Sequence, residues 1–222
     1  MDWQAARVSI ALAVLTTLLL LPIGILIARW LDATQSRTRP WIEALLLLPL
    51  LLPPTVLGFY LLNAWGAGSA LGNWLKNTLG VSLVFSFEGL LIASLLINLP
   101  FMVQPIQRAF AAIDHSIREA AWVGGLSATK TFFKIELPMA WQGVVAGCAM
   151  TFAHTLGEFG VVLLVGGNID GKTRTLSIAI YDKVQAFDIA SAHIMAATLL
   201  VFSLIALVAV FASQSDLRKR PQ

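Results

Sequence analysis

The chain has 222 residues, of which 58% are hydrophobic and only 12% charged, with a mean hydropathy of +0.80 and a net charge of +3. A soluble domain carries about 25% charged residues. This composition leaves too little polar residue to cover a water-facing surface, so it excludes an ordinary soluble domain and makes the bilayer the simpler solvent. The single cysteine, Cys148, lies in an apolar run, cannot form an internal disulfide and has no metal partners nearby. It reads as a small packing residue.

A helix needs about 20 apolar residues to cross about 30 Å of hydrocarbon. Five stretches qualify: 8–28, 42–62, 89–106, 141–164 and 194–211. The first is too long for the apolar core of a secretory signal, only Arg7 precedes it, and no small-residue cleavage site follows. It reads as an uncleaved helix, with Pro22 tolerable in a membrane span.

The second stretch contains Pro49, Pro53, Pro54 and Gly58. Each proline removes a backbone donor and forces a kink. The span is either a bent helix shaped to its neighbours or a broken helix lining a pathway. In lipid, the freed carbonyls must meet protein or water in a cavity. The segment 63–87 is rich in Gly and Trp, and Trp65 and Trp74 suit a membrane interface. A short surface helix is expected there. The third stretch carries Asn98, Pro100, Gln104 and Pro105 and raises the same choice between bend and break.

The segment 107–137 is a polar island between apolar stretches. Ser116 and Glu119 have capping-box spacing, which predicts a helix beginning near Ser116. Ala120 and Ala121 are small enough for a partner surface to approach closely. Gly125 suits a turn that other residues would strain. Ser127 can cap a second short helix running to about Glu136, with Phe132 and Phe133 available for packing. Pro138 then fits the first turn of the fourth span. The expected arrangement is two short helices joined at glycine, lying across one membrane face. Beyond the fourth span, segment 166–193 opens with the turn signal Gly167-Asn168-Ile169-Asp170-Gly171, and its later part can form a short interfacial helix.

Charge sets the orientation. With five spans, Arg29, Arg37, Arg39, Arg108, Arg118, Lys130, Lys134, Arg218, Lys219 and Arg220 fall on one side, and Arg7, Lys76, Lys172, Arg174 and Lys183 on the other. Ten cations against five is a positive-inside bias. It puts the amino terminus outside, and the carboxyl terminus and the 107–137 loop in the cytoplasm.

Within that loop, Glu119-Ala120-Ala121, Gly125, Ile135, Leu137 and Pro138 read E-A-A-x3-G-x9-I-x-L-P. All seven positions resemble the cytoplasmic loop by which the membrane subunits of ABC importers seat on their ATPase. Two further stretches resemble the molybdate permease group: Leu48-Pro49-Leu50-Leu51-Leu52-Pro53-Pro54-Thr55-Val56-Leu57-Gly58, and Thr155-Leu156-Gly157-Glu158-Phe159-Gly160 followed by Gly171-Lys172-Thr173-Arg174-Thr175. Sulfate permeases share the Leu-Gly-Glu-Phe-Gly element but are usually longer, and tungstate is chemically close to molybdate. Family members often carry Arg where this chain has His154.

The resemblance implies an all-α integral membrane protein with the type I importer permease fold, its single domain covering residues 1–222. It also implies a bacterial or archaeal cytoplasmic (inner) membrane location, a permease homodimer, cytoplasmic ABC ATPase subunits, an external oxyanion-binding protein, and no cofactor, metal or nucleic acid. The resemblance further implies that this subunit does not itself hydrolyse ATP, so no ATPase site of its own is expected.

Glu158 sits about 30 Å along a helix started at Pro138, near the outer boundary where its charge is tolerable. A carboxylate repels an oxyanion, which disfavours direct substrate binding. It either caps or pairs locally, or acts at an outer gate with Pro53 and Pro54, paired with Lys172 or Arg174. Those two cations attract an anion or a binding protein, or are solvated loop charges. His154, one turn deeper, reads as a hydrogen-bonded packing residue. A secondary transporter would carry ionisable groups near midspan or an internal repeat, and neither is visible by inspection. A membrane-embedded enzyme would need paired catalytic groups, and His154 with Glu158 lacks a nucleophile or further metal ligands.

Overall fold

The computed structural model describes residues 1–218, with side chains through residue 208. Among the described residues every regular element is helical, and there is no strand. Three helices are long and apolar enough to span a membrane: α1 (Trp3–Ala33), α5 (Phe87–Ala111) and α12 (Ile189–Arg218). Two bent pairs qualify when each is taken as one span. α2 (Arg39–Leu51) and α3 (Pro54–Trp65) meet at 107°, and α9 (Trp141–Gly157) and α10 (Gly160–Gly166) at 62°. The five expected spans therefore appear as three continuous helices and two broken ones. Shorter helices are α4 (Ala70–Leu79), α6 (His115–Val123), α7 (Ala128–Thr131), α8 (Leu137–Met139) and α11 (Leu176–Gln185). α4 and α11 are the short helices expected between spans.

The prolines sort by position. Pro22 in α1, Pro49 in α2, and Pro100 and Pro105 in α5 are accommodated within helices. The third span is thus unbroken, contrary to one of the two readings open for it. The second is broken: Leu52 is extended, Pro53 precedes the new helix, and Pro54 occupies its first position. Proline disfavours helix in the residue before it and needs no N–H at the first turn, so Pro53–Pro54 ends one helix and starts another.

The fourth span also breaks, which a single stretch at 141–164 does not anticipate. Gly157 ends α9, Glu158 is extended (φ −65°, ψ 131°), and α10 begins at Gly160.

The centre of the molecule is α1 packed along α5 and α9. Gly143 and Gly147, spaced as in G-x-x-x-G, let α9 approach α5 at backbone distance. A Cβ at Gly143 would lie 2.6 Å from the Pro105 carbonyl oxygen, and one at Gly147 would lie 2.8 Å from that of Met102. Small residues at such crossings let helices associate in lipid, where no hydrophobic force drives them together. One apolar cluster gathers Leu20, Leu31, Met102, Ile106, Phe110 and Val144 at the loop end. Another gathers Leu12, Leu90, Ile97, Val161 and Ile178 toward the opposite end. The outward faces of α1, α2 and α12 expose large apolar side chains such as Leu18, Leu26, Leu45, Leu200 and Ile205, as a lipid-facing surface does.

Candidate functional site

The loop between α5 and α9 has the expected two-helix form. α6 starts one residue before the expected Ser116, but the cap is Asp114. Its carboxylate accepts from the Ser116 backbone N–H at 2.9 Å and from the Ser116 hydroxyl at 2.8 Å. These two bonds hold the Asp114 carboxyl below the usual range. The expected capping box does not form, because Glu119 turns the other way and meets exposed His115 at 3.0 Å.

α6 ends at Val123 with Gly124 as its C-cap, and Gly125 follows with φ +81°. That left-handed conformation is the one a side chain strains. The Ser127 hydroxyl accepts from the Lys130 N–H and caps α7, as expected.

The second helix is less regular than expected. After Thr131 the backbone widens into a π-helical turn, Phe132–Glu136, in which the Leu137 N–H reaches back to the Phe132 carbonyl. Pro138 lies in α8 and not in the first turn of α9, with a turn at Ala140 between them. The widening turns Glu136 inward while Phe133 and Lys134 stay outside.

The seven motif positions divide by exposure. Glu119, Ala120, Gly125 and Pro138 are exposed, Ile135 and Leu137 half-buried, and Ala121 buried. Ala121 therefore serves internal packing and is not open to a partner. Around the exposed positions lie Trp122, Val123 (90% exposed), Phe133 and Met139. Large apolar side chains gathered on the water-facing end of a membrane protein mark a contact surface.

Beneath this surface is a buried charge cluster that the motif does not reveal. Glu136, 1% exposed, accepts a bidentate pair from Arg29 of α1, Nε to Oε2 at 2.6 Å and Nη2 to Oε1 at 2.9 Å. Arg118 of α6 brings its Nε to 2.8 Å from Glu136 Oε1 as a charge contact. Its Nη2 donates to Asp32 of α1 at 2.7 Å and to the Phe110 carbonyl near the end of α5 at 3.0 Å. Two cations and two anions thus tie α1, α5, α6 and the π-helical turn together.

Partway along the spans the two breaks meet, and Glu158, 3.8 Å from His154 and so near the level of Asn98 in α5, lies deeper than the outer boundary expected for it. α3 packs on α10, bringing Pro54 against Gly160, two residues from Glu158. The Glu158 carboxylate accepts from the Val161 N–H at 3.2 Å and caps α10, while its backbone carbonyl accepts from the Ser177 hydroxyl at 2.6 Å. This is the local capping expected as one reading of Glu158. The alternative pairing with Lys172 or Arg174 does not occur. Arg174 Nε donates to Asn168 at 2.7 Å and the guanidinium lies within 4 Å of Asp2, Asp170 and Asp182. Exposed Lys172 lines a separate cavity of about 610 Å³ with Arg7, Phe87 and Glu88.

His154 is the hydrogen-bonded packing residue expected. Its ring stacks on Phe101 at 4.0 Å, and Nδ1 lies 3.0 Å from Asn98 Oδ1. The Asn98 amide N–H donates to Ser94, whose hydroxyl accepts from Thr16. With its N–H so used, Asn98 offers an oxygen, and the His154 Nδ1 carries the proton. His154 Nε2 is 3.8 Å from Glu158. Below this stack a cavity of about 460 Å³ runs between α5 and α9 from Phe101 and Met150 to Gln142 and Arg108.

The chain superimposes on the crystal structure of a bacterial ABC transporter involved in the import of the acidic polysaccharide alginate. The TM-score is 0.74 at 19% identity, over 98% of this chain and 79% of the other. Residues 7–219 match the family described as binding-protein-dependent transport system inner membrane component, and the chain belongs to that family. It is 46% identical over 214 residues to the molybdenum transport system permease protein ModB of Azotobacter vinelandii, covering 96% of this chain and 94% of that one. It is 34% identical over 184 residues to the ModB of Escherichia coli K12, covering 83% and 80%. It is 31% identical over 197 residues to the sulfate transport system permease protein CysT of the same bacterium, covering 89% and 71%.

Proposed function

We propose that this inner-membrane subunit forms the translocation pathway for molybdate in an ABC importer and passes to it the work of ATP hydrolysis by a separate ATPase. The observation that carries the substrate is the 46% identity, over nearly the full length of both chains, to a permease named for molybdenum transport. The sulfate permease is more distant and longer relative to this chain. The subunit pairs with a second copy of itself, and an external oxyanion-binding protein delivers the substrate. The loop end faces the cytoplasm, the side that the distribution of Lys and Arg favours. Glu119, Ala120, Gly125 and Pro138, with the apolar side chains around them, sit in a groove of the ATPase. Ile135, Leu137 and Ala121 hold that surface in shape. Glu158, Pro53 and Pro54 form the outer gate, where the two broken spans pack on each other. Lys172 and Arg174 act outside the gate, facing the arriving anion or the binding protein.

Few charges line the interior cavity, so selectivity rests mainly on the binding protein, and a weakly binding pore favours release. Deleting the gene tests the substrate. Growth that depends on molybdenum should fail at scarce molybdate and recover with excess. Unchanged molybdate uptake with lost sulfate uptake would transfer the assignment to sulfate.

A further inference from the structure

We propose that the Arg29–Asp32–Arg118–Glu136 cluster is the joint through which the cytoplasmic loop moves α1, a helix to which the loop has no covalent link. The inference rests on the coupling reading and names the residues that extend it. The loop is chain-continuous with α5 and α9 only. It meets α1 through an apolar cluster that Phe132 and Leu137 share with Leu31, and through charge: Arg29 and Asp32 stand on the last two turns of α1, and both face loop residues, Glu136 and Arg118. Arg118 also holds the Phe110 carbonyl, so one side chain reaches α1 and α5 together.

Burial argues for a mechanical role over a stabilising one. The side chains of Glu136, Asp32, Arg118 and Arg29 are 1%, 9%, 11% and 25% exposed. Removing such charges from water costs about as much as their pairing returns, and apolar residues of similar size often stabilise as well. Charge pairs of fixed geometry instead set register, because a shifted partner leaves a charge buried and alone. An apolar contact tolerates sliding, whereas a bidentate guanidinium–carboxylate pair does not. The π-helical turn fits this role, since the widened backbone points Glu136 at Arg29 while its neighbours face the contact surface. π-helical turns are frequent at functional positions. Movement of the loop thereby carries the cytoplasmic end of α1, and α1 lies along both α5 and α9.

Two measurements on the complex reconstituted with its ATPase and binding protein test the joint. Glu136→Gln keeps the size of the side chain and removes its charge. It should assemble with the ATPase, yet molybdate moved per ATP hydrolysed should fall at least tenfold. Glu136→Asp, which keeps the charge on a shorter side chain, should retain more transport than Glu136→Gln. Normal transport by an assembled Glu136→Gln complex, or an assembled Glu136→Asp complex that transports no better than Glu136→Gln, overturns the proposal. The second measurement leaves the cluster intact. Ala33→Cys and Lys134→Cys, both exposed and placed in a Cys148→Ser chain, are bridged with the shortest bismaleimide that joins them. If the joint stays closed through the cycle, transport should remain within twofold of the unbridged protein. Loss of transport on bridging while the ATPase stays bound shows that the two parts must separate, and overturns the proposal even where Glu136→Gln fails to assemble. A wild-type complex that hydrolyses ATP without moving molybdate would instead refute the coupling reading itself.

Discussion

Gly160, the first residue of α10, lies against Pro54, the first residue of α3: a Cβ on the glycine would sit 2.9 Å from the proline Cβ. Gly58 answers from the other helix, where an added Cβ would come within 2.9 Å of Leu164 and 3.1 Å of the Val161 Cα. The two broken spans therefore touch at their breaks, and each glycine admits the other helix. Gly160→Ala should act as overpacking, costing about 1–3 kcal/mol, and should push α3 off α10. Thermal unfolding of the purified subunit and transport by the complex measure the two effects. An alanine variant with unchanged melting and transport would mean that this contact is neither tight nor part of a gate.

Glu158 supports that contact by capping α10. Glu158→Gln retains an oxygen that can accept from the Val161 N–H, whereas Glu158→Ala leaves the helix start bare. Loss of a capping side chain typically costs about 1 kcal/mol, so the alanine variant should melt earlier than the glutamine variant. If both lose transport equally while the glutamine variant melts like wild type, the negative charge itself is required at the gate.

The topology predicts labelling in intact cells. In a Cys148→Ser background, an impermeant thiol reagent should reach Lys172→Cys from outside and leave Thr129→Cys untouched until the membrane is opened. Labelling of position 129 in intact cells would reverse the orientation.

Loop variants separate assembly from transmission. Gly125 has φ +81° and open space around a would-be Cβ. Valine there meets no atom of this chain but strains the backbone by about 1–2 kcal/mol and adds bulk to the contact surface. Glu119→Lys reverses an exposed charge on the same surface. Each should leave the subunit inserted and the binding protein docked, while weakening ATPase association or uncoupling hydrolysis from uptake. Co-purification with the ATPase and uptake in vesicles read these separately.

The local features were legible in the sequence. The seven loop positions stand within twenty residues of each other, and their spacing predicts two short helices turning at Gly125. Pro53–Pro54 marks a bend or a break because adjacent prolines act on the backbone directly. The second break was not legible, since Gly157-Glu158-Phe159-Gly160 contains no proline and membrane helices tolerate glycine. The cap expected at Ser116 falls instead on Asp114, two residues earlier, and Glu119 has a competing partner in His115. The charge cluster was hidden for a different reason. Arg118 and Asp32 are 86 residues apart, and Arg29 and Glu136 are 107 apart. Nothing in the local pattern distinguishes them from the solvated basic residues beside them, and only the packing of α1 against the loop unites them.

The most direct test of the whole account is uptake by vesicles holding this subunit, its ATPase and its binding protein, with molybdate, tungstate and sulfate in competition. The account predicts molybdate uptake that requires both ATP and the binding protein. It also predicts that tungstate competes well and sulfate poorly, and that uptake is lost in Gly125→Val and Glu119→Lys. Uptake independent of ATP, or normal uptake in both loop variants, would contradict it.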